Sequence, residues 1–369
     1  MRILLVHPHL DLRGGSERLT SVLASKLVEL GHEVGVVTAS LDPEWFRTNN
    51  KARVYCIERR FESGDLLTDS LLAVFNAIRE AMLRLEPEKT LVVIQEPVYA
   101  ALMKMASRRD VPVAMYVHFP YDEEITDENL PEYLKRYRFP MLADRFVPVV
   151  DNIICNSRYT AKAIMRYWRR GAAVVYPPIP EFFLQSSPEP DSERENIVLY
   201  VARTVPHKQQ AALVRWFQKV REKIPDAKLL LAGFTDPRHS SYYTEIKSTI
   251  LSYDGVEFLG TVSDSKLLEL YRSAKVYIHP RVGEHFGMAP IEAMSQGCPV
   301  VVRYPAGLCE VLKHGHGGYW ARSEEQLIKY TEKILKMPHR EWSRLSREAM
   351  RFAARFSPMR FTEKILKKL

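Results

Sequence analysis

Short apolar runs alternate with amphipathic helical periods twice along this chain, and a proline-rich break separates the two series. Few folds accommodate that pattern. In the first series Arg2–Pro8 reads as a buried strand and Asp11 to Gly15 as a loop. Ser16–Leu30 carries Leu19, Val22, Leu23, Leu27 and Leu30 at helical spacing until Gly31 stops it. Val34–Thr38 is the next strand, which completes a βαβ unit with a glycine turn ahead of its helix. Further strands are expected at Leu91–Ile94, Val113–Val117 and Asn152–Asn156, and helices near Asp69–Leu85, Ala100–Arg108 and Tyr159–Arg169.

Tyr176-Pro177-Pro178-Ile179-Pro180 breaks regular structure, and the polar, proline-containing stretch Gln185–Ser192 after it reads as a linker. Alternation then restarts. Strands are expected at Ile197–Ala202, Lys228–Ala232, Val256–Leu259, Val276–His279 and Pro299–Val302. Helices are expected at Gln209–Lys223, Tyr242–Ser252, Asp264–Ser273 and from Ala289 onward. Ser357-Pro358 reads as an N-cap with proline in the first turn, opening a last helix to Leu369. A length of 369 residues exceeds one ordinary core. The expectation is therefore α/β: two doubly wound, Rossmann-like parallel sheets facing across a cleft, with ligands at the carboxyl ends of their strands.

Composition excludes several classes. Hydrophobic residues make up 46% and charged residues 27%, which excludes a disordered chain. No apolar run reaches the roughly 18 residues of a membrane span. The N-terminal MRILLVHPHL reads as a first strand rather than a signal peptide. Cys56, Cys155, Cys298 and Cys309 lack metal-site spacing and sit mostly in apolar runs, as free thiols of a reducing compartment do, so a cytoplasmic location is expected. The net charge of +8 is uneven: Arg344 to Leu369 holds eight Lys/Arg against two Glu. Arg158, Lys162 and Arg166 recur every four residues beside Arg169 and Arg170. Either patch suits anionic lipid headgroups or a phosphate-bearing acceptor, and either also suits a solvated helix face. No nucleic-acid motif accompanies the charge.

The segment with the most chemical content is Glu284-His285-Phe286-Gly287-Met288-Ala289-Pro290-Ile291-Glu292. It follows a strand and leads into a helix. A helix start there exposes unpaired N–H groups suited to an anion, and Glu284 and Glu292 flank it, able to accept hydrogen bonds from sugar hydroxyls. Phosphate plus hydroxyls together describe a nucleotide sugar. Two solvated glutamates on a surface loop would show the same spacing. Gly14 and Gly15 precede the first helix and allow close backbone approach to a phosphate, or simply a tight turn. Arg203 and Lys208 flank the end of the strand at Ile197–Ala202 and could neutralise a diphosphate. His118, in Tyr116–Pro120, ends another apolar strand at the ligand-binding edge. The acidic residues Asp122, Glu123, Glu124, Asp127 and Glu128 lack rigid metal spacing and read as a solvated loop; no metal site is expected.

Together these segments resemble the retaining family-4 glycosyltransferases of the GT-B fold. The resemblance spans nearly the whole chain and rests on GGSERL at Gly14–Leu19, YVHFP at Tyr116–Pro120, NSRYTA at Asn156–Ala161 and VVYPPI at Val174–Ile179. It rests also on the Arg203…Lys208 pair and on EHFGMAPIEAM with GCPVV at Glu284–Val301. The HFP, YPP and EHFG wordings are most similar to dolichol-pathway mannosyltransferases and their prokaryotic relatives.

The resemblance implies an acceptor-binding domain at 1–178, completed by the helix at 357–369, and a nucleotide-sugar-binding domain at 179–356. It implies that Gly15 approaches the diphosphate, with Gly14 beside it, and that His118 lies beside the donor sugar. Arg203 and Lys208 would neutralise the leaving nucleoside diphosphate. Glu284 and the amides of Phe286, Gly287, Met288 and Ala289 would hold sugar hydroxyls and the distal phosphate, and Glu292 the ribose. No cofactor or metal is implied: a GDP- or UDP-linked hexose of the mannose or glucose type is the substrate, and a glycan or polyprenyl-linked molecule the acceptor, with peripheral placement at the cytoplasmic membrane face.

Three departures stand out. The usual acidic-Lys-Asn pattern is His207-Lys208-Gln209, Arg281 stands where a small serine is common, and Gly-Gly-x-x-Glu appears as Ala306-Gly307-Leu308-Cys309-Glu310. They leave open two alternatives: a GT-B-shaped partner subunit that binds nucleotide with little turnover, and a sugar-nucleotide epimerase of the same shape.

Overall fold

The computed structural model describes residues 1–11, 14–43, 46, 52–57, 66–107, 110–123, 125, 130–131, 143–185, 193–235 and 239–369. Residues 186–192 of the expected linker lie outside them, as do Glu124, Asp127 and Glu128 of the acidic run and Arg108 at the end of one expected helix. The chain divides into two compact units, Met1–Pro178 with Pro358–Leu369, and Ile179–Ser357.

The described residues of the first unit form a seven-stranded parallel sheet. Its strands are β1 (Arg2–Val6), β2 (Glu33–Thr38), β3 (Arg53–Cys56), β4 (Lys89–Val92), β5 (Val113–Val117), β6 (Asn152–Cys155) and β7 (Ala173–Val174), in the order β3-β2-β1-β4-β5-β6-β7. β3 and β7 have no counterpart in the sequence reading. β7 is two residues long, and β3 has one buried residue in four, so neither makes an apolar run. The helices are α1 (Gly15–Glu29), α2 (Leu66–Leu85), α3 (Val98–Ala106) and α4 (Arg158–Trp168).

Side chains alternate across a strand, so β1 feeds two cores. Leu4 and Val6 face a layer with Ala73, Val74, Ala77, Ile78, Ala81 and Leu85 of α2. Ile3 and Leu5 face the opposite layer with Leu19, Leu23 and Leu27 of α1. The four-residue spacing of Ala73, Ala77 and Ala81 puts small residues on one helix face and lets α2 approach the sheet closely. Gly35 of β2 belongs to that approach: a Cβ there would lie 2.9 Å from Leu4 Cδ1 and from Leu85 Cδ2. The last helix joins the α1 layer through Phe361 and Ile365. The Phe361 ring sits 5.6 Å from that of Tyr116, and Lys89 Nζ donates to the Leu369 carbonyl at 2.6 Å.

The second unit repeats the plan with β8 (Ile197–Val201), β9 (Lys228–Ala232), β10 (Val256–Gly260), β11 (Val276–His279), β12 (Val300–Arg303) and β13 (Gly318–Ala321), in the order β10-β9-β8-β11-β12-β13. Its helices are α5 (Gln210–Arg221), α6 (Ser240–Leu251), α7 (Asp264–Ser273), α8 (Met288–Ser295), α9 (Glu324–Leu335) and α10 (His339–Ala353); α11 (Pro358–Leu366) is the last helix of the first unit. The order of sheet growth reverses between β1 and β4 in one sheet and between β8 and β11 in the other, and these are the points where doubly wound sheets hold ligands. The four cysteines are free thiols; Cys155 and Cys298 are buried as expected, while Cys56 is exposed at the end of the half-polar β3. Among the described residues no helix is long and apolar enough to cross a membrane.

Candidate active site

The second sheet's switch point carries most of the candidate residues. β8 and β11 pair in parallel, so the chain leaves both at one edge. After β8, Pro206–Lys208 forms a single 3-10 turn and Gln209 adopts the left-handed conformation (φ 60°, ψ 30°) before α5 begins. Two hydrogen bonds fix this loop. Tyr200 Oη donates to the Lys208 carbonyl at 2.8 Å, and Gln210 Nε2 donates to the Arg203 carbonyl at 2.8 Å. Tyr277 Oη donates to the Val201 carbonyl at 3.0 Å, tying β11 to the same exit.

After β11 the chain runs alongside the exit of β12. The Gly283 N–H donates to the Pro305 carbonyl and the Gly307 N–H to the Glu284 carbonyl, each at 2.8 Å, and Glu284 bridges Ala306 in parallel. The altered Ala306-Gly307 motif thus serves as backbone support for Glu284. Gly287 then turns the chain with φ +89°, in the region that disfavours side chains, and caps α8. α8 begins at Met288, so the Met288 and Ala289 N–H groups lie in a first turn that lacks intrahelical partners, while Pro290 has no N–H at all.

Three groups converge on one carboxylate oxygen. Lys208 Nζ lies 2.6 Å from Glu284 Oε2, His279 Nε2 3.1 Å and Arg281 Nη1 3.8 Å. Burial raises the Glu284 carboxyl, but the charges of Lys208 and then Arg281, with the His279 hydrogen bond, overcome it and hold the group well below the usual carboxylate range. Burial lowers His279, so its imidazole is neutral at pH 7. Because the ionised carboxylate only accepts, His279 Nε2 carries the proton and donates it. Desolvation, then the charges of Arg281 and Lys208, push His207 down to about 3. Glu292, one helical turn further, is buried and accepts a hydrogen bond from Tyr271 Oη at 3.0 Å. Phe286 is buried against Phe356, with ring centroids 5.7 Å apart, so it contributes packing beneath the loop.

Lys208, Glu284, Gly287 and the start of α8 are therefore brought together, and Arg203 leads the same loop as Lys208. Glu292 sits behind them on α8. The sequence places His279 only at the end of a strand; a histidine closing an apolar strand five residues before the glutamate is the available signal. Among the described residues no cluster of three or more His, Cys, Asp or Glu could hold a metal ion.

In the first unit Gly14 caps α1 with extended backbone and Gly15 is its first residue. His118 follows β5; its ring meets Tyr116 edge-on at 5.2 Å, and its carbonyl accepts from Asn156 Nδ2 at 2.8 Å. Two further residues stand at this sheet's switch point without a sequence signal. His7, after β1, is fully buried and held neutral by burial and by nearby His9 and His118. Glu96, after β4, is buried, which pushes its carboxyl up to about 7, and accepts from Tyr121 Oη at 3.2 Å.

Two doubly wound sheets with a cation-caged carboxylate ahead of a glycine-capped helix define a GT-B glycosyltransferase. The comparisons agree. The family model for glycosyl transferases group 1 matches residues 183–355, and that for Glycosyltransferase Family 4 matches residues 13–181. The chain belongs to this glycosyltransferase family and resembles its dolichol-pathway mannosyltransferases. It is 28% identical to the alpha-1,3/1,6-mannosyltransferase ALG2 of Mus musculus over 92% of this chain and 88% of that one. It is also 28% identical to the GDP-Man:Man(3)GlcNAc(2)-PP-Dol alpha-1,2-mannosyltransferase of Neurospora crassa, over 69% of this chain and 54% of that one. Sucrose-phosphate synthase from Thermosynechococcus elongatus shares the fold with a TM-score of 0.80 at 19% identity, covering 99% and 97% of the two chains. Anabaena HepE in complex with UDP and glucose does so at 0.76 and 18%, covering 100% and 98%.

Proposed function

We propose that this glycosyltransferase moves a hexose, of the mannose or glucose type, from a GDP- or UDP-linked donor to a glycan or polyprenyl-linked acceptor with retention at the anomeric carbon. The observation that carries the proposal is the convergence of Lys208, Arg281 and His279 on Glu284 at the mouth of α8. Glu284 is a carboxylate that is ionised at every ordinary pH and ringed by donors, which suits it to accept from sugar hydroxyls rather than to act as a proton carrier. Lys208 and Arg203, with the Met288 and Ala289 N–H groups, receive the diphosphate. They supply the positive field that a metal ion would otherwise provide. Glu292, oriented by Tyr271, takes the ribose. In the first unit, taken by itself, the Gly14-Gly15 start of α1 suits a phosphate and His118 suits a sugar hydroxyl. The acceptor oxygen bonds to the anomeric carbon on the face from which the diphosphate departs, and a departing phosphate oxygen takes the acceptor's proton. No protein nucleophile is needed.

The mannosyl preference draws on the relatives, which are named as mannosyltransferases. The peripheral membrane placement draws on the exposed Arg158, Lys162, Arg166 and Arg169 along α4, with Met165 half exposed among them. The test is a panel of UDP- and GDP-sugars with lipid and glycan acceptors, read by nucleoside diphosphate release and by the mass and anomeric signal of the product. A retained glycoside formed without added metal, and lost in Glu284→Gln and Lys208→Ala, is expected. Turnover without any acceptor indicates an epimerase, and no turnover with any pair removes the proposal.

A further inference from the structure

A group of aromatic and cationic side chains at the outer edge of the second sheet has no role in the site above. β13 is the edge strand there. Trp320 sits on it, half-buried, and Tyr304 follows the adjacent β12 and is 44% exposed. Their ring centroids lie 5.4 Å apart at 37°, and exposed Arg322 sets its guanidinium 5.6 Å and 5.3 Å from the two rings. The arrangement is rigid from below. The Tyr304 N–H donates to the Ala321 carbonyl at 2.8 Å. The Trp320 N–H donates to His314 Nδ1 at 3.2 Å, and the His314 ring packs against Trp320 at 4.7 Å.

An arginine capping two rings is in part its own explanation, since cation–π contacts stabilise a surface. It does not explain the position. Tyr304 is bonded to Pro305, whose carbonyl holds the Gly283 N–H, and the next residue, Ala306, bridges Glu284. Tyr304 therefore stands directly before the backbone that supports the residue assigned to the donor sugar. Flat rings with a partly open face, next to planar N–H donors, match a pyranose, which presents an apolar C–H face and hydroxyls at its rim.

We infer that Tyr304, Trp320 and Arg322 form a saccharide subsite that holds a neutral hexose of the acceptor glycan. The inference rests on the proposed donor role of Glu284 for what the subsite serves, but saccharide binding itself can be measured without turnover. The probe is α-linked mannotriose, titrated into the full chain and followed by the indole N–H signals; Trp320 is assigned by the signal lost in Trp320→Phe. A saturable shift of that signal is expected, weakened about fivefold in Tyr304→Ala, which corresponds to a stacking contact of about 1 kcal/mol. Arg322→Ala is expected to weaken it as well. Both are exposed positions, so the variants keep the fold, checked by unchanged melting. With an active enzyme the same variants should raise KM for an acceptor of several sugars and leave KM for a monosaccharide acceptor unchanged. Absence of a Trp320 shift, or a shift unaltered in Tyr304→Ala and Arg322→Ala together, overturns the subsite. Mannotriose binding in a protein that transfers no sugar would leave the subsite standing and remove the donor-site reading alone.

Discussion

The Lys208–Glu284 contact gives the sharpest prediction. At 2.6 Å, Coulomb's law yields about 6 kcal/mol at an effective dielectric of 20 and about 1.6 in water. The side chains are 17% and 13% exposed, so the pair sits between these limits and has already lost hydration. Arg281 at 3.8 Å and His279 at 3.1 Å remain as partners when the lysine is removed. A coupling of about 2–4 kcal/mol between Lys208 and Glu284 follows, below the full loss expected of an isolated buried pair. Lys208→Met should destabilise the protein by that amount near pH 7, and in the Glu284→Gln background the same change should have little effect.

The pH dependence follows from the depressed Glu284 carboxyl. Its contribution is present above the unfolded value of 4.5 and is lost as pH falls through the lower folded value. Lys208→Met removes the largest opposing charge, so burial lifts the folded value toward 4.5 and the loss of stability below pH 4.5 becomes smaller. Denaturant unfolding of the four proteins of the cycle between pH 2 and 8 measures both. Equal effects of Lys208→Met in the two backgrounds would refute the argument.

Glu96 carries the opposite sign. Its folded value of about 7 lies above the ordinary 4.5, so ionisation opposes folding by an amount that grows between those values and levels off at about 3 kcal/mol above them. Glu96→Gln should leave stability near pH 4.5 unchanged and raise it at pH 8, as read by denaturant midpoints. Gln209 holds a left-handed conformation that asparagine tolerates better, so Gln209→Asn should stabilise by up to about 1 kcal/mol in thermal unfolding. Gly287→Ala should lower both stability, by about 1–2 kcal/mol, and donor turnover, because its φ of +89° strains any side chain. In liposome flotation the protein should bind anionic vesicles more than neutral ones, and Arg158→Glu with Lys162→Glu should abolish the difference; equal binding to both vesicles removes the electrostatic argument.

The sequence determined the two parallel sheets because their central strands are buried on both faces, and such strands show as unbroken apolar runs at β1, β5, β8, β9 and β11. It marked Lys208, Glu284, Gly287 and Glu292 because a strand exit and a helix start impose local residue types. It did not mark the peripheral strands β3, β7 and β13, whose short or half-polar segments gain their hydrogen bonds from neighbours rather than from an apolar pattern. Only the tertiary structure joined His279, Arg281 and Lys208 on a single oxygen of Glu284. The parallel pairing of β8 with β11 decides it, by bringing two strand exits 76 residues apart to the same edge. Only the fold, likewise, raised Glu96 by burial and set Tyr304, Trp320 and Arg322 against one another. Burial and side-chain convergence are properties of packing, and no local window of sequence contains them.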